Sequence, residues 1–235
     1  MFLILDLKVS NLNLRIWLKI KKMDFFNIQN SDYIENHSSN ERNIIADLRR
    51  ETELKCLNPI MLSGKVQGIF LSIISKIINP KNVLEIGTYS GYSTLCIAEG
   101  LGANGIIHTI DKNEELLEIQ NKYFEKSGYR NQIKQYTGNA LEIIPKIKVN
   151  FDMIFLDADK ENYSNYLDIV TPRLNKGGIL LTDNVLWHGK VLKSSETHDE
   201  TTKLIDKFNK KLALDSNFKT VMLPLRDGIS VSIKL

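Results

Sequence analysis

The stretch Val83-Leu84-Glu85-Ile86-Gly87-Thr88-Tyr89-Ser90-Gly91-Tyr92-Ser93 decides the fold. Val83, Leu84 and Ile86 make a short apolar run suited to a buried strand, and Gly87 and Gly91 open a tight turn behind it. A helix follows with Leu95, Ile97 and Ala98 on its inner side. Strand, glycine turn and helix, in that order, present a nucleotide-like ligand at the carboxyl end of the first strand of a doubly wound α/β domain. The spacing is not Gly-x-Gly-x-x-Gly, and no lysine follows as in a phosphate-binding loop. Instead Glu85 sits in the strand end, and a second acid, Asp111, closes the next strand, Ile106–Asp111. An acid there suits a ribose diol, which calls for a bidentate acceptor.

Outward from this stretch, strands alternate with helices. Upstream, residues 31–57 read as helical, with Ser38 and Glu41 at capping-box spacing and Ile44, Ile45, Leu48, Leu54 and Leu57 as an apolar stripe. Asn58-Pro59 breaks that pattern. A second helix carries Ile69, Phe70, Ile73, Ile74, Ile77 and Ile78 and ends at Asn79-Pro80. Downstream come a charged helix over 113–126, a third strand over Ile133–Thr137 and a short helix over 141–146. The fourth strand, Phe151–Leu156, runs into Asp157-Ala158-Asp159-Lys160. A helix through Tyr163, Tyr166 and Val170 stops near Gly177-Gly178, and a fifth strand over 179–182 ends in Asp183-Asn184. One more helix, about 199–214, precedes two strands joined by the tight-turn signal Arg226-Asp227-Gly228. The pattern predicts an α/β fold with a doubly wound, seven-stranded, mostly parallel sheet and N-terminal helices.

A chain of 235 residues, 43% hydrophobic, can bury one sizeable core, so one domain is expected. Cys56 and Cys96 lie in apolar helical contexts and make no disulfide framework, which points to a reducing, cytoplasmic setting. No run of eighteen apolar residues appears, so no membrane span is expected. The formal charge of +3 is local. Residues 1–22 hold Lys8, Arg15, Lys19, Lys21 and Lys22 against Asp6, and without them 26 basic side chains face 27 acidic ones. The basic balance is therefore no argument for a nucleic-acid surface. That N-terminal segment fails as a signal peptide, because its basic residues follow the apolar part. It is expected to be an extension outside the fold, with Met23-Asp24-Phe25 the true start and residues 23–235 the domain; an edge strand or a membrane-surface segment is the other reading.

Three hard donors fall at the carboxyl ends of neighbouring strands: Asp157 after the fourth, Asp183 and Asn184 after the fifth. Singly, an Asp after a strand is a helix cap and Asp-Asn is a turn. Jointly, two carboxylates and an amide oxygen suit Mg²⁺ and leave about half of an octahedral shell for water and substrate. Lys160 starts a helix three residues after Asp157, and a lysine beside a cation can serve as a base. Alone it reads as a surface charge. His188 lies in the loop beyond the acid pair, whereas His37, His108 and His198 have no partners at ligand spacing.

Residues 61–68, 84–93, 157–160 and 183–188, with Arg226-Asp227-Gly228, resemble the metal-dependent catechol and caffeoyl-CoA O-methyltransferases, the small bacterial members above all. The resemblance covers roughly residues 24–235 in five separated blocks. It implies a class I methyltransferase sheet with a final antiparallel strand, S-adenosylmethionine as methyl donor, and a homodimer. By motif position, Ser63, Glu85, Gly87, Ser93, Asp111, Ala140 and Asp159 would line the cofactor site; Asp157, Asp183 and Asn184 would hold the metal, expected to be Mg²⁺, and Lys160 would be the base. Asn139 departs from the family's Asp, His188 from the Asn of plant members and Lys65 from the His of bacterial ones, so the acceptor is what these positions leave open.

The expected reaction is methylation of a catechol-like, vicinal-hydroxyl small molecule. A metal on Asp157, Asp183 and Asn184 would lower the pKa of the acceptor hydroxyl, Lys160 would take its proton, and the oxyanion would attack the sulfonium methyl in line. Methylation of a hydroxylated tRNA base is a second reading, which the near-neutral charge of residues 23–235 disfavours. A non-catalytic S-adenosylmethionine-binding protein is a third, opposed by the joint presence of Asp157, Lys160, Asp183 and Asn184.

Overall fold

The apolar runs of the central strands are buried on both faces, which is why they occupy the middle of a sheet. The computed structural model describes residues 28–235. Its strands are β1 (Asn82–Ile86), β2 (Ile106–Asp111), β3 (Ile133–Thr137), β4 (Phe151–Leu156), β5 (Leu174–Asp183), β6 (Phe218–Leu223) and β7 (Ile229–Lys234). They form one sheet in the order β3-β2-β1-β4-β5-β7-β6. The first five strands are mutually parallel, and β7 runs antiparallel between β5 and β6. This is the seven-stranded, mostly parallel sheet that the sequence predicts. Chain order reverses between β1 and β4, and there the strand carboxyl ends open a crevice.

Alternate residues of each strand serve opposite layers. Leu84, Ile86, Ile154, Leu156 and Leu180 meet Tyr163 and Leu167 of α7 (Tyr163–Val170) and Phe208 of α8 (Glu200–Leu214). Val83, Met153, Phe155 and Leu181 face the other way. They pack with Leu48 of α2 (Asn43–Lys55), Leu71 of α3 (Lys65–Ile78), Leu95 of α4 (Tyr92–Ala98) and Phe124 of α5 (Leu117–Ser127). A short α6 (Ala140–Ile143) follows β3. All of this belongs to a unit that runs from Ser39 to Leu235. Helix α1 (Ile28–Asn36) belongs to a separate unit ending at Ser38, in which the rings of Tyr33 and His37 stack with centroids 3.9 Å apart. The expected boundary after residue 22 and the start at Met23 lie outside the described residues.

Two local expectations are corrected, and α3 holds a detail beside them. The Ser38–Glu41 capping box does not form: α2 begins at Asn43 with no side-chain cap, and Ser38 Oγ donates to Ile34 O at 2.7 Å. Glu41 is taken instead by Arg49 at 2.9 Å and by the Tyr92 hydroxyl, a charge-assisted pairing stronger than a cap. The isoleucines of α3 divide between two faces: Phe70, Ile74 and Ile78 pack against the core, whereas Ile73 and Ile77 are 50% and 74% exposed. Gly68, Leu71, Ser72 and Ser75 are buried there, because α3 and α4 approach too closely for larger groups. A Cβ on Gly68 would stand 2.6 Å from the Tyr92 hydroxyl. Residues Pro59–Ile78 are also apolar enough to cross a membrane by length and composition, with mean hydropathy 1.4, a property that the search for an unbroken apolar run passes over. Finally, β5 starts at Leu174 rather than after Gly177-Gly178, and a register shift opposite Phe151 and Met153 absorbs the glycines.

Candidate active site

The carboxyl ends of β1, β2, β4 and β5 converge on a cavity of about 670 Å³, within the range of small-molecule sites. Its wall includes Ser63, Gly87, Ser93, Asp111, Ala140, Asp157, Asp159, Lys160, Asp183 and Asn184. Gly87 has φ +104°, and a Cβ there would lie 1.9 Å from the carbonyl oxygen of Asp157. Only a glycine lets the turn after β1 touch the end of β4 backbone to backbone. Asp111 accepts the backbone N–H of Tyr89 at 2.7 Å and of Asn113 at 2.9 Å, one on each oxygen. Each oxygen keeps a second lone pair for a diol in the cavity. Asn139, on the same wall, caps α6 by accepting the Leu141 N–H at 3.0 Å.

Glu85 is the candidate that the structure does not bring to the cavity. Its side chain is fully buried behind the wall, where Ser93 donates at 2.6 Å, Thr109 at 2.5 Å, and Thr94 also donates. Since the single proton of Thr109 goes to Glu85, the 2.6 Å contact between Thr88 and Thr109 has Thr88 as donor. Burial pushes the Glu85 carboxyl up to about 7 despite these three hydroxyls. Glu85 thus fixes Ser93 and the turn, and sequence position alone does not separate that role from ligand contact. Asp159 does reach the cavity. Burial opposes its charge, but donation from Asn162 and from Tyr166 at 2.7 Å prevails and holds its carboxyl below the ordinary range.

Opposite these groups stand Asp157, Asp183, Asn184 and Lys160. Asp183 is almost fully buried, and burial first and the charge of Asp157 second push its carboxyl up to about 7. Gln67 Nε2 donates to its Oδ2 at 2.7 Å and the Asn184 N–H to its Oδ1 at 2.7 Å. Lys160 Nζ donates to Asp157 Oδ1 at 3.0 Å and to the Tyr163 hydroxyl at 2.7 Å. The Tyr163 hydroxyl in turn donates to the backbone oxygen of Asp183 at 3.1 Å. Among the described residues, no group of three His, Cys, Asp or Glu side chains is placed to hold a metal ion. The available set is two carboxylates and one amide, all hard oxygen donors, and the mutual repulsion of the carboxylates is what a divalent cation relieves.

The loop beyond Asn184 is built from unusual backbone. Asn184, Trp187 and His188 have φ of 58°, 47° and 53°. Such conformations persist only where neighbours impose them, and here the turn Arg226-Asp227-Gly228 does so. Gly228 O and Asp227 O accept the N–H groups of Val185 and Leu186 at 3.1 and 2.8 Å, and Asp227 Oδ1 accepts that of His188 at 2.5 Å. Arg226 reaches across to the backbone oxygens of Leu62, at 2.8 Å, and Ser63. His188 itself is exposed at the cavity rim beside Trp187.

Sequence reasoning passed over Gln67, Tyr163 and the bracing role of Asp227. A lone glutamine inside an apolar helix was the signal available for the first. For Tyr163, a tyrosine three residues past Lys160 reads equally well as core.

Residues 35–235 match the family model described as O-methyltransferase. Caffeoyl-CoA O-methyltransferase 1 of Arabidopsis thaliana is 34% identical over 193 residues, 77% of this chain and 74% of that protein. Among solved structures, the SAH-bound methyltransferase PaMTH1 of Podospora anserina superposes with a TM-score of 0.81 at 26% identity, covering 89% of this chain and 97% of that one. The O-methyltransferase of Bacillus cereus in complex with SAH gives 0.79 at 25% identity, covering 87% and 96%.

Proposed function

The chain belongs to the O-methyltransferase family, a family that moves a methyl group from S-adenosylmethionine to oxygen, and we propose that its acceptor is a catechol-like, vicinal-hydroxyl small molecule handled with the help of a divalent cation. One observation carries the reading. Asp157, Asp183, Asn184 and Lys160 share a cavity wall with Asp111 and Ser63, so an acid pair and an amine face the same space as the cofactor-type groups. The acceptor named for the Arabidopsis relative, caffeoyl-CoA, carries a catechol ring, which supports the same class.

Asp111 and Ser63 bind the donor, beside the close backbone turn that Gly87 permits. Asp157, Asp183 and the amide of Asn184 are the residues that would hold the cation, a hard divalent ion such as Mg²⁺. When bound, such an ion favours the oxyanion form of a neighbouring hydroxyl. Lys160 Nζ, 3.0 Å from Asp157, receives the acceptor's proton. The acceptor oxygen then forms its bond to the methyl carbon as the carbon–sulfur bond of the donor breaks. Trp187, Ile60 and Met61 supply apolar lining to the cavity.

The test is methyl transfer to a panel of catechols with Mg²⁺ and again with excess EDTA. Turnover that EDTA removes is the expected result. Turnover indifferent to EDTA refutes the metal role, and turnover of undermodified tRNA with none on any catechol refutes the acceptor class. A homodimer, which the family resemblance implies, is part of the same proposal, and sedimentation of the purified chain tests it.

A further inference from the structure

The chemistry above leaves the phenol of Tyr163 without an assigned purpose. The side chain is fully buried at the start of α7, and its ring meets Phe208 of α8 edge-on with centroids 5.3 Å apart. Phenylalanine would fill that space without the cost of desolvating a hydroxyl. The hydroxyl is therefore to be explained by what it touches. Its single proton goes to the backbone oxygen of Asp183 at 3.1 Å, so its oxygen is left as an acceptor, and Lys160 Nζ donates to it at 2.7 Å. Lys160 Nζ makes its other bond to Asp157 Oδ1 at 3.0 Å and lies 4.9 Å from the centre of the Tyr163 ring. One hydroxyl thus joins the end of β5, the lysine and, through the lysine, the end of β4.

A lysine side chain has four flexible bonds, and holding it in one geometry costs rotamer entropy. A single bond to Asp157 leaves Nζ free to swing about that carboxylate. A second, neutral acceptor on a rigid ring fixes the direction without adding another negative charge.

We propose that Tyr163 is a positioning residue for methyl transfer: tied to the Asp183 backbone, its hydroxyl holds Lys160 Nζ against Asp157, at the point where the acceptor's proton is received. The inference rests on the reading of Lys160 as the base, and the experiment separates the two.

The first readout needs no acceptor. The full chain and its Tyr163→Phe variant are treated with limiting acetic anhydride, and modification of each lysine is followed by mass spectrometry. Lys160 is expected to react several-fold faster in the variant while the surface lysines keep their wild-type rates. An unchanged Lys160 rate overturns the proposal. The second readout is kinetic, with a catechol as acceptor, on Y163F, K160M and the double variant. Y163F is expected to lower kcat ~10- to 100-fold with an acceptor KM within about twofold of wild type. The double variant is expected to be no slower than K160M, because Tyr163 acts through the lysine. Independent, multiplying losses overturn the proposal. Full activity of K160M sinks the base reading alone, and the labelling result then still decides whether Tyr163 holds the amine.

Discussion

Gln67 Nε2 donates to Asp183 Oδ2 across 2.7 Å, joining residues 116 positions apart in the chain. The glutamine is fully buried and its Oε1 has no partner, so its whole polar contribution is directed at one carboxylate. Outer-shell donors of this kind set the orientation of a ligand, and losing one typically weakens metal affinity 10- to 100-fold. Gln67→Leu is expected to weaken Mn²⁺ binding by ~10-fold or more, as read by calorimetry. Its cost in folding stability is about 1–2 kcal/mol, for a carboxylate left short of a donor. Unchanged Mn²⁺ affinity in a folded variant would show that Asp183 is not a ligand or does not depend on Gln67.

Glu85 gives the molecule a pH signature. Its carboxyl titrates near 4.5 in the unfolded chain and is pushed up to about 7 in the fold. Between those values the native state keeps a proton that the unfolded state has released, so stability falls as pH rises. The contribution is complete below about pH 4.5 and gone above about 7, a loss of about 3 kcal/mol. Urea unfolding of the wild type and of Glu85→Gln from pH 4 to 8 checks this. The difference between the two curves should slope across that window, and a flat difference would refute it.

Gly87→Ala should be poorly tolerated. The new methyl would lie 1.9 Å from Asp157 O, against backbone rather than a movable side chain, at φ +104°. A cost of ~3 kcal/mol or more follows from strain and overpacking together. For a chain of this size that lowers the melting midpoint by roughly 6–12 °C. A variant within about 2 °C of wild type in differential scanning calorimetry would mean that β1 and β4 can separate at that point.

What the sequence made legible was the set of strand ends. Val83–Ile86 and Phe151–Leu156 are mostly apolar, each is followed at once by glycine or acid, and such punctuation is local. Asp157, Asp183, Asn184 and Lys160 were found for that reason. Relations set by partners distant in the chain were not legible. That α3 needs a glycine at 68 depends on Tyr92 and Cys96 crowding that point, and the apolar periodicity of the helix carries no trace of it. Glu85 looked like a ligand contact because its three hydroxyl partners, Ser93, Thr94 and Thr109, come together only in the folded sheet. Glu41 looked like a cap because Arg49 and Tyr92 compete for it only in three dimensions.

The hairpin turn at Arg226-Asp227 also bears on the order in which the molecule can be assembled. Arg226 grips the backbone of Ser63 from 163 positions downstream, and Asp227 grips that of His188 from 39. Strand β6 reaches the sheet only through β7, which enters last from the ribosome among these elements. Both rims of the cleft, although their residues are synthesised much earlier, wait for that late hairpin to lock them. A nascent chain released short of residue 226 would carry every residue assigned to donor, cation and proton, yet lack the clasp on Ser63 and on the loop beyond Asn184.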